Sequence, residues 1–112
     1  MRIMQDRFYV GRIHPGISGF KDWDHWEYYV VMGRKARQHR SEIVTEYIPK
    51  AGDRLRLEDG HLPEYQPEMD GADAIQWLRN NPDRRVLPSL HNYWQANFHI
   101  RYGCGKRPAA TA

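Results

Sequence analysis

The sequence predicts an α+β domain, and three observations carry that reading. Residues 93–102 alternate, with Trp94, Ala96, Phe98, Ile100 and Tyr102 against Tyr93, Gln95, Asn97, His99 and Arg101, which is the period of a strand. Residues 71–80 instead place Ala74, Ile75, Trp77 and Leu78 on one stripe, which is the period of a helix. The chain of 112 residues is the length of one domain, and its seven tyrosines, four tryptophans and three phenylalanines supply bulky material for a single core. The domain is expected over residues 1–105, followed by a flexible tail over 106–112 that is small and breaker-rich.

A first strand is expected near 8–13, where Phe8, Tyr9, Val10 and Ile13 are β-prone and the sequence His14-Pro15-Gly16 closes the run. A helix is expected near 22–32. Asp22 suits its N-cap, Asp24 its first turn, and Trp23, Trp26, Tyr29 and Val30 fall at helical spacing before Gly33. A strand reading competes, because Trp26, Tyr28, Val30 and Met32 also alternate; the helix is preferred because it explains the punctuation at both ends.

Strands are expected near 42–48, where Ile43, Thr45 and Tyr47 share a face and Pro49 ends the run, and near 53–58, where Leu55 and Leu57 face away from Arg54 and Arg56. Residues 58–71 have no period, being interrupted by Gly60, Pro63, Pro67 and Gly71, and they hold Glu58, Asp59, Glu64, Glu68 and Asp70. Loops of this length are often functional. The second helix, near 71–80, has Asp70 as its expected cap, Asp73 in its first turn and Asn80-Asn81-Pro82 as its stop, and is expected to plug one end of the sheet. Val86 and Leu87 form a brief strand before Pro88.

Arg34, Lys35, Arg37 and Arg40 follow one another without an intervening acid, so the local field is positive in any fold. Together with Gln38, whose amide both donates and accepts, they are the candidate site for nucleic acid or a nucleotide. Charge runs are commonly solvated turns. Arg40 has an alternative structural role as a salt-bridge partner of Glu42 or Glu46. Lys35 reads as a phosphate contact, since its basic neighbours suit anion binding; burial would instead make it a nucleophile or base. A net charge of +3 tilts the partner list toward phosphate-bearing molecules without requiring nucleic acid.

His99 and Arg101 on the polar face of the last strand offer the general acid and anion stabiliser of a metal-independent ribonuclease, although a polar face is also what a half-exposed strand requires. The six histidines show no HExxH or paired ligand spacing, and no P-loop or Ser-His-Asp arrangement is identifiable, so neither metal nor cofactor is expected. Cys104, the sole cysteine, can form no intramolecular disulfide. With no signal-like segment and no long apolar run, the expected setting is the cytoplasm, away from membranes. The four tryptophans read as core, whereas Tyr28, Tyr65 and Tyr93 read as freer to stack on a base.

The stretch Gly33-Arg34-Lys35-Ala36-Arg37-Gln38-His39-Arg40 resembles the GxKxxExR signature of ASCH domains, keeping Gly33, Lys35 and Arg40, with Gln38 where the family has glutamate. HWEYYVVM before it and KAGDRLRL after it are similar to the family in order and spacing. The resemblance implies a small PUA/ASCH-like β-barrel with two short helices, whose cleft holds RNA or a nucleoside against the signature lysine and arginine. Some members resemble small amidohydrolases acting on an acylated cytidine with a lysine, a hydroxyl and an acid. Lys35 matches the lysine, Gln38 stands at the hydroxyl position, and the acid would come from Glu64 or Glu68.

Three functions are therefore carried forward. The first is a binding domain for RNA or a nucleotide. The second is an amidohydrolase or ribonuclease using Lys35, Glu64 or His99. The third is a protein-binding inhibitor or adaptor of a larger nucleoprotein complex, of the kind mobile elements encode.

Overall fold

Apolar alternation in the first half of the chain is resolved as strands. The computed structural model describes residues 2–13, 27–37 and 42–89. The expected strand over 93–102, the tail over 106–112, residues 22–26 of the expected first helix, and Gln38, Arg40, His99 and Cys104 lie outside the described residues.

The elements run β1 (Phe8–Ile13), β2 (Glu27–Met32), α1 (Gly33–Ala36), β3 (Glu42–Glu46), β4 (Arg54–Leu57), a 3-10 turn (Pro63–Tyr65), β5 (Glu68–Asp70), α2 (Gly71–Asn80) and β6 (Arg85–Pro88). The six strands form one sheet in the order β3-β1-β2-β6-β4-β5, antiparallel at each pairing. Among the described residues the sheet is open, with β3 and β5 at its edges. The fold class is thus α+β, as the alternating runs and the single strong helical stripe predict. Among the described residues no helix is long and apolar enough to cross a membrane.

The sheet is buried on both faces. Phe8, Val10, Tyr28, Val30, Leu55, Leu57 and Val86 point to the face covered by α2, where Ala74, Ile75 and Leu78 complete the main core. Tyr29, Val31 and Ala36 form a smaller cluster on the opposite face, with Ile3, Ile43 and Leu87 against it. This double burial overturns the helix expected near 22–32 over its described part: residues 27–32 are β2, paired with β1 from Glu27↔Ile13 to Met32↔Phe8. A strand covered on both faces has no polar alternation to show, and Tyr28-Tyr29-Val30-Val31 reads as a continuous apolar run compatible with either period.

Gly33 is likewise the start of a helix and not its end. It opens α1 directly after β2, donating its N–H to the Arg7 carbonyl at 2.7 Å. A Cβ at this position would overlap the Met4 carbonyl, so glycine admits the N-terminal segment against the strand-to-helix junction. Tyr28, expected to be free, is buried in the main core at 3% exposure, whereas Tyr65 is exposed as expected.

The second helix matches its expected limits, but its cap differs. Asp70 occupies the N-cap position without a side-chain cap; it stands opposite Arg54 in the β4–β5 ladder and pairs with it at 3.0 Å. The Gly71 N–H at the helix start is met by the Asp53 carbonyl at 3.0 Å. At the other end, the Asn81 side chain donates to the Trp77 carbonyl at 2.9 Å, which explains why the helix stops there. The helix lies across a face of the sheet, nearest β4 and β5, and does not plug an end.

Candidate nucleotide cleft

The face of the sheet opposite α2 carries a cleft, and strand parity decides what lines it. Val30 and Val86 stand opposite each other toward α2, so Tyr29, Arg85 and Leu87 turn the other way; Arg56, opposite Leu87, joins them. The resulting cleft has a volume of about 500 Å³. Tyr29, Arg85, Leu87 and Arg56 make its floor, Glu58, Pro63 and Gln66 stand on one side, and Ile13 and Glu27 on the other. The chain leaves β1 and returns to β2 at those last two residues.

The charged groups are held in place by specific partners. Arg85 Nε donates to both oxygens of Glu58 at 3.0 and 3.1 Å, and its guanidinium lies over the Tyr29 ring at 5.7 Å from the centroid. Arg56 donates from Nε to the Pro88 carbonyl at 3.2 Å and from a terminal nitrogen to Gln66 Oε1 at 2.6 Å. Gln66 in turn donates to the His61 carbonyl at 3.0 Å, which ties the irregular 58–67 segment to the floor. Glycine is required beneath this site: a Cβ at Gly11 would overlap the Tyr29 ring, which crosses over it from the neighbouring strand.

A second hollow of about 310 Å³ adjoins the first through Glu58 and Arg85 and is completed by Lys35, Asp83 and Arg84. Among the described residues neither Lys35 nor Arg84 forms an ion pair. The two hollows differ in chemistry. One offers an aromatic ring, a leucine, a guanidinium stacked on that ring and a second guanidinium, and the other an ammonium and two guanidinium groups tempered by two carboxylates.

Of the residues singled out from the sequence, the structure brings Lys35 to the second hollow, Tyr28 to the lining of the cleft, and Glu58 to both. Arg34, on the same short helix, is exposed, and Arg37 donates to the Ile3 carbonyl at 3.1 Å, a contact that fastens the N-terminal segment. Glu64 is exposed on the 3-10 turn and lines neither hollow. Glu68 accepts from the Ser89 hydroxyl at 2.6 Å. The acids proposed for Arg40 are engaged by other arginines: Glu42 by Arg12 at 2.9 Å and Glu46 by Arg7 at 3.2 Å. The Glu42 carboxylate pushes the Arg12 guanidinium above its ordinary range. Among the described residues no three His, Cys, Asp or Glu side chains converge as a metal site would need.

Sequence reasoning missed Arg56, Arg84 and Arg85, and named Glu58 only among the acids of the irregular 58–71 stretch. The one signal present was the Arg84-Arg85 pair placed immediately before a short apolar strand, where strand parity must send one of the two onto a face of the sheet. No family model matches the chain, and no solved structure matches it.

Proposed function

We propose that this domain binds RNA or a nucleotide, seating a base in the cleft against Arg85 and Leu87 and a phosphate in the hollow of Lys35 and Arg84. The observation that carries the reading is the adjacency of the two hollows, which share Glu58 and Arg85 as a common wall. A planar, polar ring stacks on a guanidinium plane, and an edge of that ring finds both acceptor and donor in Glu58 and Gln66. A phosphate is favoured beside an ammonium and a guanidinium that form no ion pair among the described residues. The ASCH-like signature supports the same assignment, because its lysine, Lys35, is the member of the basic run that lines the hollow. On this reading the sheet is the described part of a PUA/ASCH-like barrel.

A hydrolytic role has one observation in its favour, the presence of Lys35 and Glu58 in a single hollow. Both readings are tested in one experiment. Labelled single-stranded RNA and a labelled ribonucleoside monophosphate are each titrated with the unmodified chain, with Lys35→Ala and with Lys35→Ala/Arg84→Ala over a salt series, and the RNA is examined for cleavage afterwards. Binding that weakens with salt, with a slope lower by about 1.4 in the double variant, is the expected result. Absence of RNA and nucleotide binding by the unmodified chain contradicts the proposal, and turnover abolished by Lys35→Ala moves the assignment to the enzyme.

A further inference from the structure

The 3-10 turn beside the cleft presents two large apolar side chains to solvent. With three residues per turn, positions three apart are eclipsed, so Leu62 at the start of the turn and Tyr65 at its end share a face. The Tyr65 N–H donates to the Leu62 carbonyl at 2.9 Å, which fixes that relation. Leu62 is 62% exposed and Tyr65 71%. The backbone that carries the pair is braced on both sides: Gln66 bonds to Arg56 and to the His61 carbonyl, and the His61 N–H and ring bond to Asp59. A rigid aromatic knob loses little freedom on association, which is why tyrosine is favoured at the centre of interfaces.

Charge gives the knob a complement. Of the five acids in residues 58–70, Glu58, Asp59, Glu68 and Asp70 are engaged by Arg85, His61, Ser89 and Arg54, and Glu64 is exposed on the turn between Leu62 and Tyr65. Among the described residues, Lys35 and Arg84 line their hollow without an ion pair. Knob and recess are also neighbours, since Pro63 and Gln66, which bracket the turn, line the cleft. A patch that carries an apolar protrusion with an acid, Glu64, next to a cleft adjoined by a basic hollow can be complementary to itself under a two-fold rotation, the requirement for an isologous dimer.

We propose that two copies of this chain pair about a two-fold axis, each inserting Leu62 and Tyr65 into the cleft of the other, with Glu64 turned toward the partner's Lys35. The pairing does not depend on what else the cleft binds. Where the cleft also binds a ligand, ligand and partner copy exclude one another, and by linkage each weakens the other.

Sedimentation of the full chain from about 1 µM to about 300 µM, at low and high salt, tests the proposal. A concentration-dependent dimer weakened by salt is expected, and Leu62→Ser/Tyr65→Ser should raise its dissociation constant by about tenfold or more. Both side chains are exposed, so the circular dichroism of the double variant should be unchanged. Glu64→Lys and Lys35→Glu should each impair pairing alone and restore it when mixed, because every cross-contact in the mixed dimer again joins opposite charges. A chain that stays monomeric throughout overturns the pairing and leaves the knob to a different protein; so does a dimer that ignores the double substitution, and so does a mixture that fails to associate.

Discussion

Gly33 and Tyr29 show how single residues set the site. Gly33 lets the N-terminal segment cross the start of α1, and that segment is fastened further by Arg37 to the Ile3 carbonyl and by the Met4 N–H to the Tyr9 hydroxyl at 2.8 Å. The Cβ of Gly33→Ala would meet a backbone carbonyl and not the free end of a side chain, so relief requires moving the segment. The substitution should lower stability by about 1–3 kcal/mol, seen as a lower urea midpoint with unchanged slope. A second prediction at this scale concerns the knob's brace. The His61 ring stands 2.9 Å from Asp59 and holds that carboxyl below the usual carboxylate range. A carboxyl whose folded value is depressed adds stability that is present above its unfolded value and lost as pH falls through the folded one. Titration followed by NMR should find Asp59 low in the unmodified chain and returned toward the ordinary value in His61→Ala.

The elements differ in how far the sequence revealed them, and burial explains the difference. β1, β3, β4 and α2 lie within or match their expected limits: β4 and α2 each have one covered and one less covered side and so show the right period, whereas β1, buried from Phe8 to Gly11, was legible from its β-prone residues and the turn sequence that closes it, and β3 from its β-prone residues and Pro49. β2 was hidden by being covered twice, and the acidic and glycine punctuation around it pointed to a helix that its described part does not form. The residues of the cleft were hidden for a related reason. Arg56 and Arg85 look like the solvated side of short strands until the strand order is known, and only the order β2-β6-β4 brings Tyr29, Arg85 and Arg56 onto one surface. Lys35 was legible because it sits in an unbroken basic run. Packing of α2 on the sheet gives the prediction proper to this scale. Leu78 is fully buried in the main core, so Leu78→Ala should cost about 2–5 kcal/mol. Arg54→Ala removes only a pair between exposed side chains and should cost about 0–1 kcal/mol in the same urea titration.

At the scale of the whole molecule, the sheet divides the labour between its faces. One face is committed to the core under α2, with the buried Asp53 carboxylate accepting from the Tyr47 hydroxyl at 2.8 Å and the Lys50 N–H at 3.1 Å to hold the β3-to-β4 connection. Among the described residues the other face carries a small apolar cluster, the cleft and the adjoining basic hollow. This division predicts where a ligand will be felt. The most direct measurement is a titration of the isotopically labelled chain with a ribonucleoside monophosphate and with a short single-stranded RNA, following the backbone amides by NMR. Shifts are expected at Tyr29, Arg56, Arg85 and Leu87 and at Lys35, with Ala74, Ile75 and Leu78 of α2 unmoved. Shifts centred on α2, or none at ligand concentrations that saturate known nucleotide sites, would contradict the nucleotide assignment.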